Sequence, residues 1–214
     1  MRLLNRVPKG FVRAGVAGLA LVAAVTLPGC TKQQLQGSSA SYLIIESFTA
    51  SVGTEPDKEL GTLDSDVVTG GGVIADIGRA RFQLGLKDPG TPVDPSMPTS
   101  ANFITIYRYN VKYVRSDGRN VQGVDVPWSF DAGTSVTVGI GSGFLATVTL
   151  VRPQAKLDAP LRALVGNGGQ VAITTTAEVT FFGRDQSGRD VVAKGYMTVN
   201  FADFADADSG AGRN

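Results

Sequence analysis

From residue 41 onward, apolar and polar side chains alternate with a period of two, the pattern of strands that bury one face. The segment Ser41 to Val52 is the first expected strand, followed by a polar loop, TEPDKELGTLDSD. A second strand is expected through Val67 and Val68, broken at Gly70-Gly71-Gly72 and resumed at Val73. A glycine triplet inside a strand points to a bulge or a close backbone approach. Over residues 79 to 87, Ala80, Phe82, Leu84 and Leu86 are expected to point inward, with Arg79, Arg81, Gln83 and Lys87 outward. The run Phe103 to Arg115 places Tyr107, Tyr109, Val111 and Tyr113 on one face and Arg108, Asn110 and Lys112 on the other. Further strands are expected near residues 135 to 140 and over Phe144 to Val151.

Two segments break the pattern. Residues 88 to 102 carry Pro89, Pro92, Pro95 and Pro98 and cannot form a central strand. Residues 153 to 166, PQAKLDAPLRALVG, predict a short helix around 158 to 165, capped by Asp158 with Pro160 in its first turn, as a crossover between sheets. The chain then forms a hairpin. Val171, Ile173, Ala177, Val179 and Phe181 face inward on one arm, and Val191, Ala193, Met197, Val199 and Phe201 on the other, around a turn from Gly183 to Asp190. Seven to nine strands with regular turn signals predict an all-β antiparallel sandwich over residues 41 to 204, with one short crossover helix. The tail 205 to 214 is small and acidic and is expected to be disordered.

The first 29 residues follow a different logic. They carry Arg2, Arg6, Lys9 and Arg13 and no acid, followed by the uncharged run AGVAGLALVAAVT at 14 to 26. That run is too short for a membrane-spanning helix, which needs about 20 residues, and suits the apolar core of a signal peptide. It ends in Leu27-Pro28-Gly29-Cys30. This resembles the lipobox of bacterial lipoproteins, a leucine three residues before the cysteine and a small residue directly before it. Pro28 departs from the usual residue at its position. The resemblance implies cleavage before Cys30 and lipid on its thiol, with residues 30 to 40 as a flexible polar tether. Thr31, where an aspartate would favour retention at the inner membrane, favours the outer membrane. The sandwich pattern itself resembles immunoglobulin-like or fibronectin-type domains of uncharacterised lipoproteins, without the paired cysteines of antibody domains.

Composition narrows the chemistry. Removing the four basic residues of the leader from the chain's 20 leaves 16 against 19 acids, so the mature chain is weakly acidic and carries no electrostatic footprint for nucleic acid. The single cysteine excludes an intramolecular disulfide. With no histidine, the commonest general base and transition-metal ligand are missing, and ordinary zinc sites are excluded. No G-x-S-x-G or S-x-x-K motif occurs.

The remaining candidates are carboxylates and aromatics. Asp185 and Asp190 in the hairpin turn are the candidate calcium ligands, although their spacing is not that of an EF-hand; the simpler reading is turn-forming aspartates. Asp64 with Asp66, and Asp203, Asp206 and Asp208, are further acidic groups. The glutamates are Glu46, Glu55, Glu59 and Glu178, and Glu178 is expected on a solvated strand face. The tyrosine face of 107, 109 and 113 is expected in the core with its hydroxyls at the rim, a binding platform for sugar or peptide being the alternative. Trp128 is expected to anchor the core. These features predict a non-enzymatic module anchored to the membrane, without a cofactor, whose partner is an envelope protein or polysaccharide contacted through loops 88 to 102 and 53 to 66. The alternative is a calcium-dependent carbohydrate binder or a carboxylate hydrolase.

Overall fold

A computed structural model describes residues 37 to 204. Eight strands, β1 (Ser41–Ser51), β2 (Thr62–Asp66), β3 (Asp76–Leu86), β4 (Ile104–Val114), β5 (Phe130–Val138), β6 (Phe144–Val151), β7 (Ile173–Asp185) and β8 (Asp190–Ala202), form two sheets among the described residues. One sheet has the order β1-β3-β6 and the other β2-β8-β7-β4-β5. The chain is thus all-β, with the inward faces of both sheets closing on one apolar core. The expected tail and leader lie outside the described residues, as do residues 30 to 36 of the expected tether. Its last residues are docked: Ser39 is buried, and the Lys87 N–H donates to the Ala40 carbonyl.

The core is aromatic at its centre. The rings of Phe82 on β3 and Phe181 on β7 meet edge to face at 5.0 Å, with Phe48 and Tyr109 around them at 6.2 and 6.5 Å from Phe181. Edge-to-face contact sets the positive ring edge against the negative face of its neighbour. Two tyrosine hydroxyls then tie the sheets together. Tyr113 Oη donates to the Leu150 carbonyl at 2.7 Å, and Tyr109 Oη accepts the Thr149 N–H at 2.9 Å. Burial raises the Tyr113 phenol well above its ordinary range, so it remains a donor.

Several expectations need correction. The β2–β8 pair is parallel, while every other pair is antiparallel. The second strand occupies 62 to 66, inside the expected loop, and the glycine triplet ends a tight turn instead of bulging a strand. Gly70 and Gly71 have φ of 58° and 80°, and Thr69 and Gly72 exchange both backbone hydrogen bonds. Positive φ at both central positions is the geometry of a two-residue hairpin turn. In β4 the register shifts between Ile106 and Arg108. The extra residue, Tyr107, is turned outward and is 44% exposed, while Ile104 and Ile106 take the inward face before the bulge. One inserted residue reverses the parity of everything beyond it.

Trp128 is 57% exposed, so it is not a core anchor. The expected helix at 158 to 165 is displaced. An α-helical turn, α1 (Pro153–Leu157), ends at Asp158, and a 3₁₀ turn follows over Leu161–Leu164 behind Pro160. This segment does carry the chain from one sheet to the other, as expected. Val171 is exposed and precedes β7, whose inward positions begin at Ile173, partly buried against the core.

Strand direction gives the domain two distinct ends. The start of β1 lies beside the end of β3, the start of β8 and the end of β7. Loop 88 to 102 is at this end, where the Ser41 hydroxyl donates to the Asn102 carbonyl. So is the β7–β8 turn, where the Gln186 N–H donates to the Phe103 carbonyl. The start of loop 139 to 143 packs beside the Phe103 ring. The opposite end carries loop 52 to 61, the glycine turn, loop 115 to 129 and the crossover.

Candidate functional site

The most unusual chemistry lies beneath the crossover. Pro153 suits the first turn of α1, where its missing N–H leaves no intrahelical bond unmade. The turn directs Lys156 into the interior, where its side chain is 2% exposed. Its Nζ lies 2.9 Å from Oδ2 of Asp76, the first residue of β3, whose side chain is 3% exposed. The Ser65 hydroxyl of β2 donates to the same Oδ2 at 2.6 Å, and the Gly53 N–H donates to Oδ1 at 3.1 Å. Gly53 is required there, because a Cβ would lie 2.3 Å from the Ala75 carbonyl oxygen. Three segments thus converge on the carboxylate of a fourth. A pocket of about 430 Å³ adjoins Lys156, walled by Val68, Val73, Leu157, Arg162 and Val165.

The chemistry of this group is restrictive. An activated serine needs a base that is free to take its proton. Here the hydroxyl donates to a carboxylate that an ammonium already pairs, so the arrangement holds charge in place instead of activating oxygen. A buried pair is tolerated when geometry and further hydrogen bonds offset desolvation, and both conditions hold here. Sequence patterning does not reveal this group, since its members are scattered over residues 53 to 156 and no motif links them.

The predicted carboxylates have other partners. Asp185 is 5% exposed, and its Oδ1 accepts the N–H groups of Ser187 and Arg189, both at 2.9 Å. This is the side-chain turn that closes the β7–β8 hairpin. Asp190 Oδ1 pairs with Arg184 at 2.8 Å. Glu178 lies on the outer face of β7 and pairs with Lys194 at 2.6 Å. Asp64 accepts from the Asn200 amide, and Asp66 accepts from the Thr69 hydroxyl and the Phe204 N–H. Among the described residues, no three histidine, cysteine, aspartate or glutamate side chains gather at one point. Cys30, Asp206 and Asp208 lie outside the described residues.

Glu59 was not singled out by the sequence. It docks loop 52 to 61 onto the outer face of the three-stranded sheet. Its oxygens accept from Arg81 at 2.9 and 3.1 Å and from the Thr49 hydroxyl at 2.6 Å. The Arg81 hydrogen bonds, then that of Thr49, lower its pKa to about 2.

Exposed apolar side chains occupy both ends. Trp128 lies over Gly123 at the crossover end, with Val121 and Val124 exposed on the same loop. Val93, Met97 and Ile140 are exposed on the loops at the β1-start end. A second pocket, of about 340 Å³, opens there between Ser41, Tyr42, Lys87 and Val192. The two regions expected to make contacts, 88 to 102 and 53 to 66, therefore sit at opposite ends.

Fold and site define a two-sheet all-β domain with a buried ionic clamp and two apolar-tipped ends. No family model, curated protein or solved structure matches the chain. Among the described residues, no helix is long and apolar enough to cross a membrane.

Proposed function

We propose that the chain is an exported lipoprotein, held to a bacterial membrane by lipid on Cys30, whose β-sandwich serves as a non-enzymatic binding or structural module of the envelope. The observation that carries the reading is Leu27-Pro28-Gly29-Cys30 at the end of an uncharged apolar run behind four basic residues. Lipid on Cys30 also removes the lone thiol, which would be a liability in an oxidising compartment. Thr31 favours the outer membrane. Attachment is effectively permanent, because two or three acyl chains each contribute roughly 0.8 kcal/mol per buried CH₂.

The domain belongs, in this reading, to the immunoglobulin-like sandwiches. The strand order supports it. β1, β3 and β6 correspond to strands A, B and E of that arrangement, and β4, β7 and β8 to C, F and G, with β5 added beside C. Antibody domains bridge strands B and F with a disulfide and pack a strand-C tryptophan on it. Here Phe82, Phe181 and Tyr109 occupy β3, β7 and β4 and fill the centre with rings.

The binding role rests on exposed apolar side chains on loops around a rigid sandwich, a common way of presenting a recognition surface. The Trp128 loop is the favoured contact for a protein or polysaccharide partner, because tryptophan is enriched among residues that dominate interfaces. No observation among the described residues favours calcium binding or carboxylate hydrolysis. Intact-mass measurement of the protein purified from its own membrane, beside Cys30→Ala, tests the anchor. The expected result is a chain beginning at Cys30 with added acyl mass, absent from the variant. An unacylated chain cleaved elsewhere refutes the reading.

A further inference from the structure

Resting on the lipid-anchor reading, we infer that the β1-start end of the sandwich lies against the lipid bilayer, with Val93, Met97 and Ile140 in contact with lipid, and that the Trp128 end faces away. The first argument is chain reach. Gly37 is seven residues beyond Cys30, so it stands no more than about 25 Å from the anchored cysteine, whatever path the chain takes. Gly37 is already at the domain, where the Lys87 ammonium donates to its carbonyl. From there β1 alone rises through eleven residues, about 33 Å, before loop 52 to 61 begins. Standing the domain on its Trp128 end would lift Gly37 more than 33 Å from the bilayer, beyond what the tether spans. The β1-start end is the one the anchor holds near lipid.

The second argument is the surface found there. Val93 is 96% exposed, Met97 71% and Ile140 60%. Val93 and Met97 project from loop 88 to 102, which is stiffened by four prolines and closed by the Ser96 N–H donating to the Pro89 carbonyl. A loop held in this way keeps apolar side chains in water at a standing cost, which lipid contact removes.

The test uses the full-length acylated protein in phosphatidylethanolamine–phosphatidylglycerol vesicles. The chain has one cysteine, which lipid occupies, so a single introduced cysteine takes an environment-sensitive fluorophore selectively. Labels at Val93→Cys, Met97→Cys and Ile140→Cys are compared with labels at Glu55→Cys and Arg119→Cys on the opposite end. Intact mass establishes acylation, and melting curves matching the parent establish folding. The expected result is blue-shifted emission, lost to shallow doxyl-labelled lipid, at 93, 97 and 140 but not at 55 or 119. Acylated protein with no quenching at 93, 97 and 140, or with quenching as strong at 55 or 119, overturns the orientation and leaves the anchor standing. An unacylated chain overturns both.

Discussion

Replacing Lys156 with methionine keeps most of the side chain's volume and removes its charge. The Asp76 carboxylate would then remain buried with only the Ser65 hydroxyl and the Gly53 N–H as partners. Removing one member of a buried pair costs about 3–5 kcal/mol, because the other charge is left uncompensated. In a domain of this size about 1 kcal/mol moves the melting temperature by about 2–4 °C, so Lys156→Met should melt roughly 6–20 °C below the parent. Asp76→Asn should cost a similar amount, since it strands the ammonium. The double variant removes both charges while the amide oxygen still accepts a hydrogen bond. It should return to within about 1–2 kcal/mol of the parent. Urea unfolding of the chain from residue 31 onward, followed by circular dichroism, gives all four free energies for a double-mutant cycle. A Lys156→Met variant within about 1 kcal/mol of the parent, or a double variant as unstable as the two singles summed, would refute the reasoning. Lys156 would then be reaching solvent, and the clamp would not hold the crossover.

Three other outcomes follow from the packing and the surface charges. Phe181→Ala should lose about 3–5 kcal/mol in urea, because the ring is fully buried against Phe82 and its removal leaves a cavity at the centre of both sheets; a loss below 1.5 kcal/mol would mean that the core collapses around the gap. Tyr113→Phe should cost about 1–3 kcal/mol by leaving the Leu150 carbonyl unpaired, with an unchanged fold by circular dichroism. Glu59 has a folded pKa of about 2 against an ordinary 4.5, so its contribution is complete above pH 4.5 and disappears as pH falls through 2. The melting-temperature gap between the parent and Glu59→Gln should therefore be present at pH 7 and close on acidification between these values, and a gap unchanged at pH 2 would contradict the Arg81 pairing.

Most of the strands were legible from period-two alternation because each buries one face and exposes the other. β3 shows this directly, with Ala80, Phe82 and Leu84 inside and Arg79, Arg81 and Gln83 at least partly exposed. β6 and the closing hairpin follow the same rule. The alternation misled at Tyr107, because a bulge depends on how two neighbouring strands pair with β4, and local sequence carries no such information. β2 was hidden because Thr62 to Asp66 is mostly polar. It becomes a strand by pairing in parallel with the distant β8, and only Leu63, Ser65 and the following Val67 bury against the core.

Of the candidate sites, the aspartates 185 and 190 were visible as residues, but their partners were not. A turn aspartate and a metal ligand look alike until the surrounding N–H groups and arginines are placed.

The sequence alone determined what is written in contiguous residues: the all-β class, the positions of most strands and turns, and the lipobox resemblance at Leu27 to Cys30. It also determined which chemistries lack their residue types, histidine above all. Tertiary structure alone decided the parallel β2–β8 edge, the outward turn of Tyr107, the exposure of Trp128 and the ionic clamp of Asp76 with Lys156. Periodicity reports which face of an element avoids water, a local property, whereas a buried charge pair depends on two residues 80 positions apart meeting where water is excluded.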